Sequence, residues 1–318
     1  MAMRVLECPR AVLTGAGEGE VRRLAAGGGV YWLDVEAPGQ AELQLLAELF
    51  GLHPLALEDS SKFGQRPKVE EYDDLTVVVA HGVGADGDPV EVHCIVAAAA
   101  LVTLHRAPAE PLDELAVRFD RHGHAPARPA ALLHGVLDVL TDSFFPALAD
   151  IDGAFDAIDQ ELLEDPGGRL QAQIFALKRR LMELGRVAGP MRDVVGRLAS
   201  GVVRLHGQTD ETDRYFRDVY DHLLRVEDVV EQSRDLLTGA TEVHLSAISN
   251  RLNGVMKQLT LIATVFLPLT FLTGFFGQNF PWMIENLGGP GPFLLYGVGL
   301  QVATVAALLM LFRRRGWL

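Results

Sequence analysis

Apolar positions change their spacing along the chain, and each change predicts a different element. Between residues 28 and 105 the pattern is that of an α/β unit. GVYWLDVEA has the period of two expected of a strand, and YDDLTVVVAHG and VEVHCIVAAAALVTLHR are both strand-like and rich in Val. GQAELQLLAELFG sets Leu43, Leu45, Leu46 and Leu49 near one helical face with Gly51 as the stop, and HPLALED predicts a short helix. GADGDP is a turn signal between the last two strands. The order of the strands is not readable.

After Pro108 the spacing becomes helical. RPAALLHGVLDVLTDSFFPALADIDGAFDAIDQELLED predicts one long amphipathic stretch, closed by Asp165-Pro166-Gly167-Gly168, and a second helix covers roughly Arg169 to Leu205. A third helix begins near Asp210 and meets no strong stop before Gly277, which at 1.5 Å per residue is ~100 Å. Along it Phe216, Val219, Leu223, Val226, Val230, Leu237 and Ala240 form a seam broken only by Ser233. Two kinds of partner fit that seam: earlier helices of the same chain, or symmetry copies around an axis. Gly239 and Gly254 lie within this helix at about 1 kcal/mol each relative to Ala, and suit either close packing or a bend.

The last quarter is different again. No residue from Gln258 to Ile284 is charged, and none from Phe293 to Phe312, the second being about 20 residues or ~30 Å of helix, the thickness of a bilayer's hydrocarbon core. GQNFPWMIENLGGPGP between them is rich in Gly and Pro, and predicts a turn rather than a helix. Two transmembrane helices joined by a short loop are expected. The loop carries Glu285 and no Lys or Arg, whereas Arg251 and Lys257 precede the first span and Arg313-Arg314-Arg315 follow the second. By the positive-inside tendency both termini are cytosolic, in a multi-pass protein of the cell's inner (plasma) membrane. MAMRVLECPRAVLTG has no apolar h-region, so no cleaved signal is expected, and Cys8 and Cys94 then sit in a reducing compartment.

Composition narrows the function. The chain has 318 residues, 49% hydrophobic and 22% charged, with net charge −14, and a mean hydropathy of +0.18. The acidity argues against nucleic acid as a partner and suits a domain that concentrates cations. Two helices per chain cannot enclose a pore, so conduction needs several copies around an axis. The first span is the better lining: Asn253, Met256, Leu259, Ala263, Leu267, Thr270 and Gly274 recur every three or four residues on one uncharged face. A lining without carboxylates suits an ion that keeps its water, as Mg²⁺ does. Carbonyl and amide oxygens of Gly277, Gln278 and Asn279 would form a filter without fixed charge, and Glu285 would raise the local cation concentration. Pro268 frees the carbonyl of Thr264 in mid-span, or simply kinks the helix.

At this point the residues carry a resemblance. NRLNGVMKQLTLIATVFLPLTFLTGFFGQNF resembles the first membrane helix and signature loop of the CorA divalent-cation transporters, and RRRGWL resembles that family's basic tail. WLDVEAPGQAELQLLAELFGLHPLALED with QRPKVEEYDD is similar to its N-terminal domain, and YFRDVYDHLLRVEDVVEQSRDLLTG to its stalk. The resemblance covers the chain from about Val30 onward, in four blocks in the family's order. It implies an α+β cytosolic funnel domain, a long stalk helix and two transmembrane helices, assembled as a homopentamer. The implied divisions are a funnel with its helical arm (1–209), stalk (210–256), first span (257–276), loop (277–292), second span (293–312) and basic tail (313–318).

The family's signature is Gly-Met-Asn. Gly277 and Asn279 match it and Gln278 departs. The asparagine is the residue that the family uses to hold the hydrated ion, which implies uptake of Mg²⁺, with Co²⁺ and Ni²⁺ as further cargoes. Variants at the middle position occur in the related ZntB branch, so proton-coupled Zn²⁺ transport stands as the alternative. Asp218 and Glu242 match acidic stalk positions of the family's regulatory metal sites, and their partners in the funnel are not assignable by motif. Gly254 stands where the family often carries an acid.

Other signals are weaker. His122-Gly123-His124 and His93-Cys94 lack the spacing of a metal site, and adjacent strand residues point to opposite faces. Asp150, Asp152, Asp156, Asp159, Glu161 and Glu164 form a solvated helix face, attract Mg²⁺, or pair with Lys178-Arg179-Arg180. No phosphate loop and no nucleophile–base arrangement is visible, so an enzyme is not expected. A membrane-anchored sensor or scaffold that does not conduct is the remaining class, and an uncharged small-residue face argues against it.

Overall fold

Neighbouring residues of a strand face opposite sides of a sheet, and in this protein both sides are covered. Val78, Ala80, Val92 and Cys94 enter one buried cluster, while Val77, Ile95, Val102 and Leu33 enter another. That double burial explains the near-continuous valine run in LTVVVAHGV. The computed structural model describes residues 2–9, 12–123, 125–164, 168–278 and 280–317. They divide into two compact units, Met1–Glu242 and Val243–Leu318.

The first unit holds a sheet of β1 (Ala2–Glu7), β2 (Val12–Gly15), β3 (Tyr31–Glu36), β4 (Lys68–Tyr72), β5 (Leu75–Val83), β6 (Pro89–Val96) and β7 (Ala100–His105). Their order is β2-β1-β3-β7-β6-β5-β4, with β3 and β7 parallel and all other neighbours antiparallel. One face is covered by α1 (Glu18–Gly27), α2 (Gln40–Phe50) and α3 (Pro54–Ser61), through Val21, Leu24, Leu43, Leu46 and Ala56. The other face meets α4 (Glu110–His122), α5 (Pro129–Asp142), α7 (Gly168–Ala199) and the first turns of α8 (Asp210–Phe276). The remaining helix, α6 (Phe144–Glu164), packs with α7 and α8.

Three sequence expectations change. The stretch expected to be one helix from Arg128 divides into α5 and α6 at Ser143. Its hydroxyl donates to the Leu140 carbonyl (2.6 Å) and accepts from the Val83 N–H (2.8 Å), tying the break to β5. The run VEVHCIVAAAALVTLHR folds back on itself as β6 and β7, because Ala97–Ala99 turn the chain. The segment before Val30 also contributes two strands and a helix, which the periodicity did not reveal.

The seam of the third helix is buried within the chain. Phe216, Val219 and Leu223 join α4, α5 and α7, while Val226, Val230, Leu237 and Ala240 pack against α6 and α7. Of the two partners that fitted the seam, the chain's own helices take it. Ser233 donates to the Val229 carbonyl (2.9 Å), so the one polar position in the seam satisfies itself.

Candidate functional site

The second unit contains the final part of α8, a short helix α9 (Pro281–Leu287) and α10 (Pro290–Arg314), the last with a π-helical turn over Phe293–Gly299. Among the described residues three helical stretches suit a membrane by length and composition. The apolar window in Pro129–Leu162 is 56% buried in the fold, whereas those of Asp210–Phe276 and Pro290–Arg314 are bare. The latter two are therefore the ones that need another apolar phase.

Leu261, Val265, Leu269, Leu272 and Phe276 form a half-buried stripe on α8, matched by Gln301, Thr304, Val305 and Leu308 on α10. The predicted lining, Asn253, Met256, Leu259, Ala263, Leu267, Thr270 and Gly274, lies on the opposite side of the helix and is exposed throughout, Leu267 at 72%. Hydroxyls in the span close on their own helix: Thr260 donates to the Met256 carbonyl (2.8 Å), Thr264 to Thr260 (2.7 Å), and Thr270 to Phe266 (2.8 Å). Pro268 sits inside α8, which stays helical through it.

At the end of α8 the chain turns on two hydrogen bonds, Gly277 N–H to the Thr273 carbonyl (2.9 Å) and Gln278 N–H to Phe275 (3.3 Å). A Cβ at Gly277 would lie 3.0 Å from the Thr273 oxygen, a backbone atom that would have to give by a few tenths of an ångström. Gln278 is exposed, and Asn279 lies outside the described residues. The loop expected to be a turn contains α9, with Pro281 at its first position, where proline's fixed φ favours a helix start. Glu285 is exposed on α9.

In the first unit Asp138, Asp142 and His222 bring ligand atoms within 4.8 Å of one another. Asp138 and Asp142 are four apart on α5, as are Asp218 and His222 on α8, so each helix offers two polar groups on one face. Partial desolvation raises the carboxyl of Asp142, which stays exposed, and the negative charges of Asp138 and Asp218 push the same way against His222 and Arg118. His134 is held low mainly by burial, with Asp138 and Asp218 pulling it up. Asp218, expected from the resemblance, thus belongs electrostatically to this group, whereas Glu242 is exposed and outside it. Asp138, Asp142 and His222 were missed; the paired i, i+4 spacings Asp138/Asp142 and Asp218/His222 were the available signal.

A second polar network is structural. Asp34 is 4% exposed and accepts from Thr103 (2.6 Å) and Arg4 (2.5 Å), while Trp32 Nε1–H donates to Thr103 (2.9 Å). His105 directs Nδ1 at the Ala107 carbonyl (2.6 Å) and Nε2 at Asp34 (3.3 Å). Both partners are acceptors, an arrangement that favours the ring's protonated form. Burial opposes that charge, but the Asp34 carboxylate outweighs it and raises the pKa. Asp34 pays the same desolvation, and His105, Thr103 and Arg4 together hold it low.

Among the described residues the other sequence signals take these places. His93 is fully buried and contacts Glu91 (2.6 Å), while Cys94 enters the cluster on the other face. His122 is exposed and His124 lies outside the described residues. In the acidic run Asp150 lies 3.9 Å from Arg180, and Asp152 Oδ1 lies 3.4 Å from the Ser233 hydroxyl oxygen.

An α+β domain, a 67-residue helix and a bare apolar hairpin define the class: a chain that carries, among its described residues, two bare helices long and apolar enough to cross a membrane. The family model described as CorA-like Mg²⁺ transporter protein matches residues 27–314, and the chain belongs to that family. It is 35% identical over 297 residues to the cobalt/magnesium transport protein CorA of Thermotoga maritima, covering 90% of this chain and 83% of that one. It is also 27% identical over 299 residues to the zinc transport protein ZntB of Cronobacter sakazakii, covering 90% and 86%. In fold it is similar to the complete structure of the CorA magnesium transporter from Methanocaldococcus jannaschii, with a TM-score of 0.85 at 22% identity, over 100% of this chain and 99% of that one. The expected family and the expected fold both hold.

Proposed function

We propose that the protein carries Mg²⁺, with Co²⁺ and Ni²⁺ as further cargoes, into the cell through a central pore shared by five copies. The observation that supports this most is the bare, uncharged face from Asn253 to Gly274, opposite the stripe that the hairpin half-covers. A lipid anchor has no need of a face so poor in bulk toward Gly274. In this reading 257–276 and 293–312 cross the plasma membrane, 277–292 is outside and both termini are cytosolic. Gly277, Gln278 and Asn279 meet the hydrated ion, and Glu285 enriches cations nearby. The membrane potential drives entry at ~2.3 kcal/mol per charge per 100 mV.

Asp138, Asp142, Asp218 and His222 form the cation-responsive group that closes the pore when divalent cation is plentiful. Glu242 serves a separate acidic position. Three carboxylates that repel one another are relieved by a bound cation, and the imidazole adds affinity for Co²⁺, Ni²⁺ or Zn²⁺ over Mg²⁺. Zinc transport is a second reading, favoured by the likeness to a ZntB protein.

The test is cation uptake into liposomes holding the pure full-length protein, with Mg²⁺, Co²⁺ and Zn²⁺ assayed separately, with and without a pH gradient, beside Asn279→Ala. Mg²⁺ uptake that ignores the pH gradient and collapses in the variant is the expected result. Zn²⁺ uptake that follows protons selects the second reading. No uptake of any ion by an intact oligomer overturns transport and leaves the sensor or scaffold.

A further inference from the structure

Phe276 is the last residue of α8, and the two hydrogen bonds that turn the chain after it are anchored on Thr273 and Phe275. The direction in which Gly277 and Gln278 leave the helix therefore depends on how this last turn is held. Its ring is held from the other arm of the hairpin. Phe276 stacks on Tyr296 with centroids 6.4 Å apart and planes inclined by 24°, and meets Phe275 edge-on at 5.5 Å.

Tyr296 comes from the π-helical turn Phe293–Gly299. A π turn contains one residue more than an α turn, so side chains beyond it are displaced by about 100° from where regular winding would put them. Gly297 permits the arrangement: a Cβ there would lie 3.2 Å from the Phe293 ring and push it. Phe293, Tyr296 and Gly297 also wall a cavity of about 260 Å³ together with Phe276, Gln278 and Met283. The irregular turn and Gln278 thus line the same cavity.

We propose that Tyr296 is a positioning residue for the Gly277–Gln278 turn, acting through the Phe276 ring, so that the π turn of the second span sets how that turn presents itself to a cation. The inference rests on the reading of this loop as the ion's entry. The ring stack is worth about a two- to tenfold change in the population of the held loop.

Full-length protein in liposomes, wild type beside Tyr296→Ala, Tyr296→Leu and Tyr296→Phe, tests it with two readouts. The first is amide hydrogen exchange of the segment Leu272–Met283; the second is the ratio of Mg²⁺ to Co²⁺ flux. Faster exchange confined to that segment in Ala and Leu, a flux ratio shifted about two- to tenfold, and a Phe variant like wild type are expected. Leu preserves bulk and carries the comparison if Ala fails to assemble. Unchanged exchange in Ala and Leu overturns the proposal whatever the flux. Faster exchange with an unchanged flux ratio also overturns it, since the loop's posture then has no effect on the ion. Faster exchange in a protein that conducts nothing keeps Tyr296 as the loop's positioning residue and removes the transport reading instead.

Discussion

Asp142 Oδ1 lies 3.6 Å from His222 Nδ1, across the contact between α5 and α8. That is too long for a hydrogen bond and short enough for both to reach one cation. Because partial desolvation and neighbouring carboxylates raise Asp142, its charge is unfavourable in the folded, metal-free protein at neutral pH. Asp142→Asn should therefore raise the melting temperature without divalent cation. It should also lose most of the stabilisation that cation gives, which for a wild-type site at a hundredfold excess over Kd is about 2.7 kcal/mol. Thermal unfolding with Mg²⁺, Co²⁺ or chelator reads both; a variant stabilised by cation as well as wild type is removes the site from the proposal.

Gly277 faces a backbone oxygen, whereas Gln278 is exposed. Gly277→Ala asks the last turn of α8 to give by a few tenths of an ångström, at about 1–3 kcal/mol for overpacking. Flux should fall tenfold or more while Gln278→Met stays within about threefold of wild type. Uptake assays on matched amounts of oligomer decide it, and equal losses would refute the distinction.

The His105–Asp34–Arg4 network gives the first unit a pH signature. His105 is raised, so its contribution is complete below the unfolded value of about 6.5 and is lost as pH climbs through the folded one. Asp34 is lowered, so its contribution is complete above about 3.9 and is lost as pH falls through its folded value. Stability from this network should peak between those limits. His105→Gln should flatten the decline above neutrality, measured by urea unfolding of the full chain at a series of pH values.

Burial pushes the Cys8 thiol up to about 12 and raises Cys94 further. Neither native thiol should react with a membrane-impermeant maleimide at pH 7. A cysteine at Glu285 then reports topology against a silent background. Labelling of Glu285→Cys in intact cells, and of Arg315→Cys only after lysis, is expected; the reverse pattern inverts the proposed orientation.

Much of this was legible because the strongest sequence signals are long. A helix with no stop from Asp210 to Phe276 follows from the absence of Pro or Gly clusters, and Pro268 did not end it because proline removes one bond in an otherwise strong run. The strand order was not legible, since β3 pairs with β7, 64 residues or more further on, by a register that no local pattern records. The Asp138–Asp142–His222 group was hidden for the same reason: each half is an ordinary i, i+4 pair until two helices meet. Tyr296 was hidden because one extra residue in a turn leaves the apolar composition unchanged.

Thr270, on the proposed pore face, gives its hydroxyl proton to the Phe266 carbonyl. What remains for the passing solute is the oxygen's lone pairs. Water bound to a cation points both hydrogens outward and can bond to such a wall, whereas water around an anion turns one of its two inward and has fewer to offer. An uncharged wall of this kind discriminates by the sign of the ion while binding neither sign tightly enough to hold it.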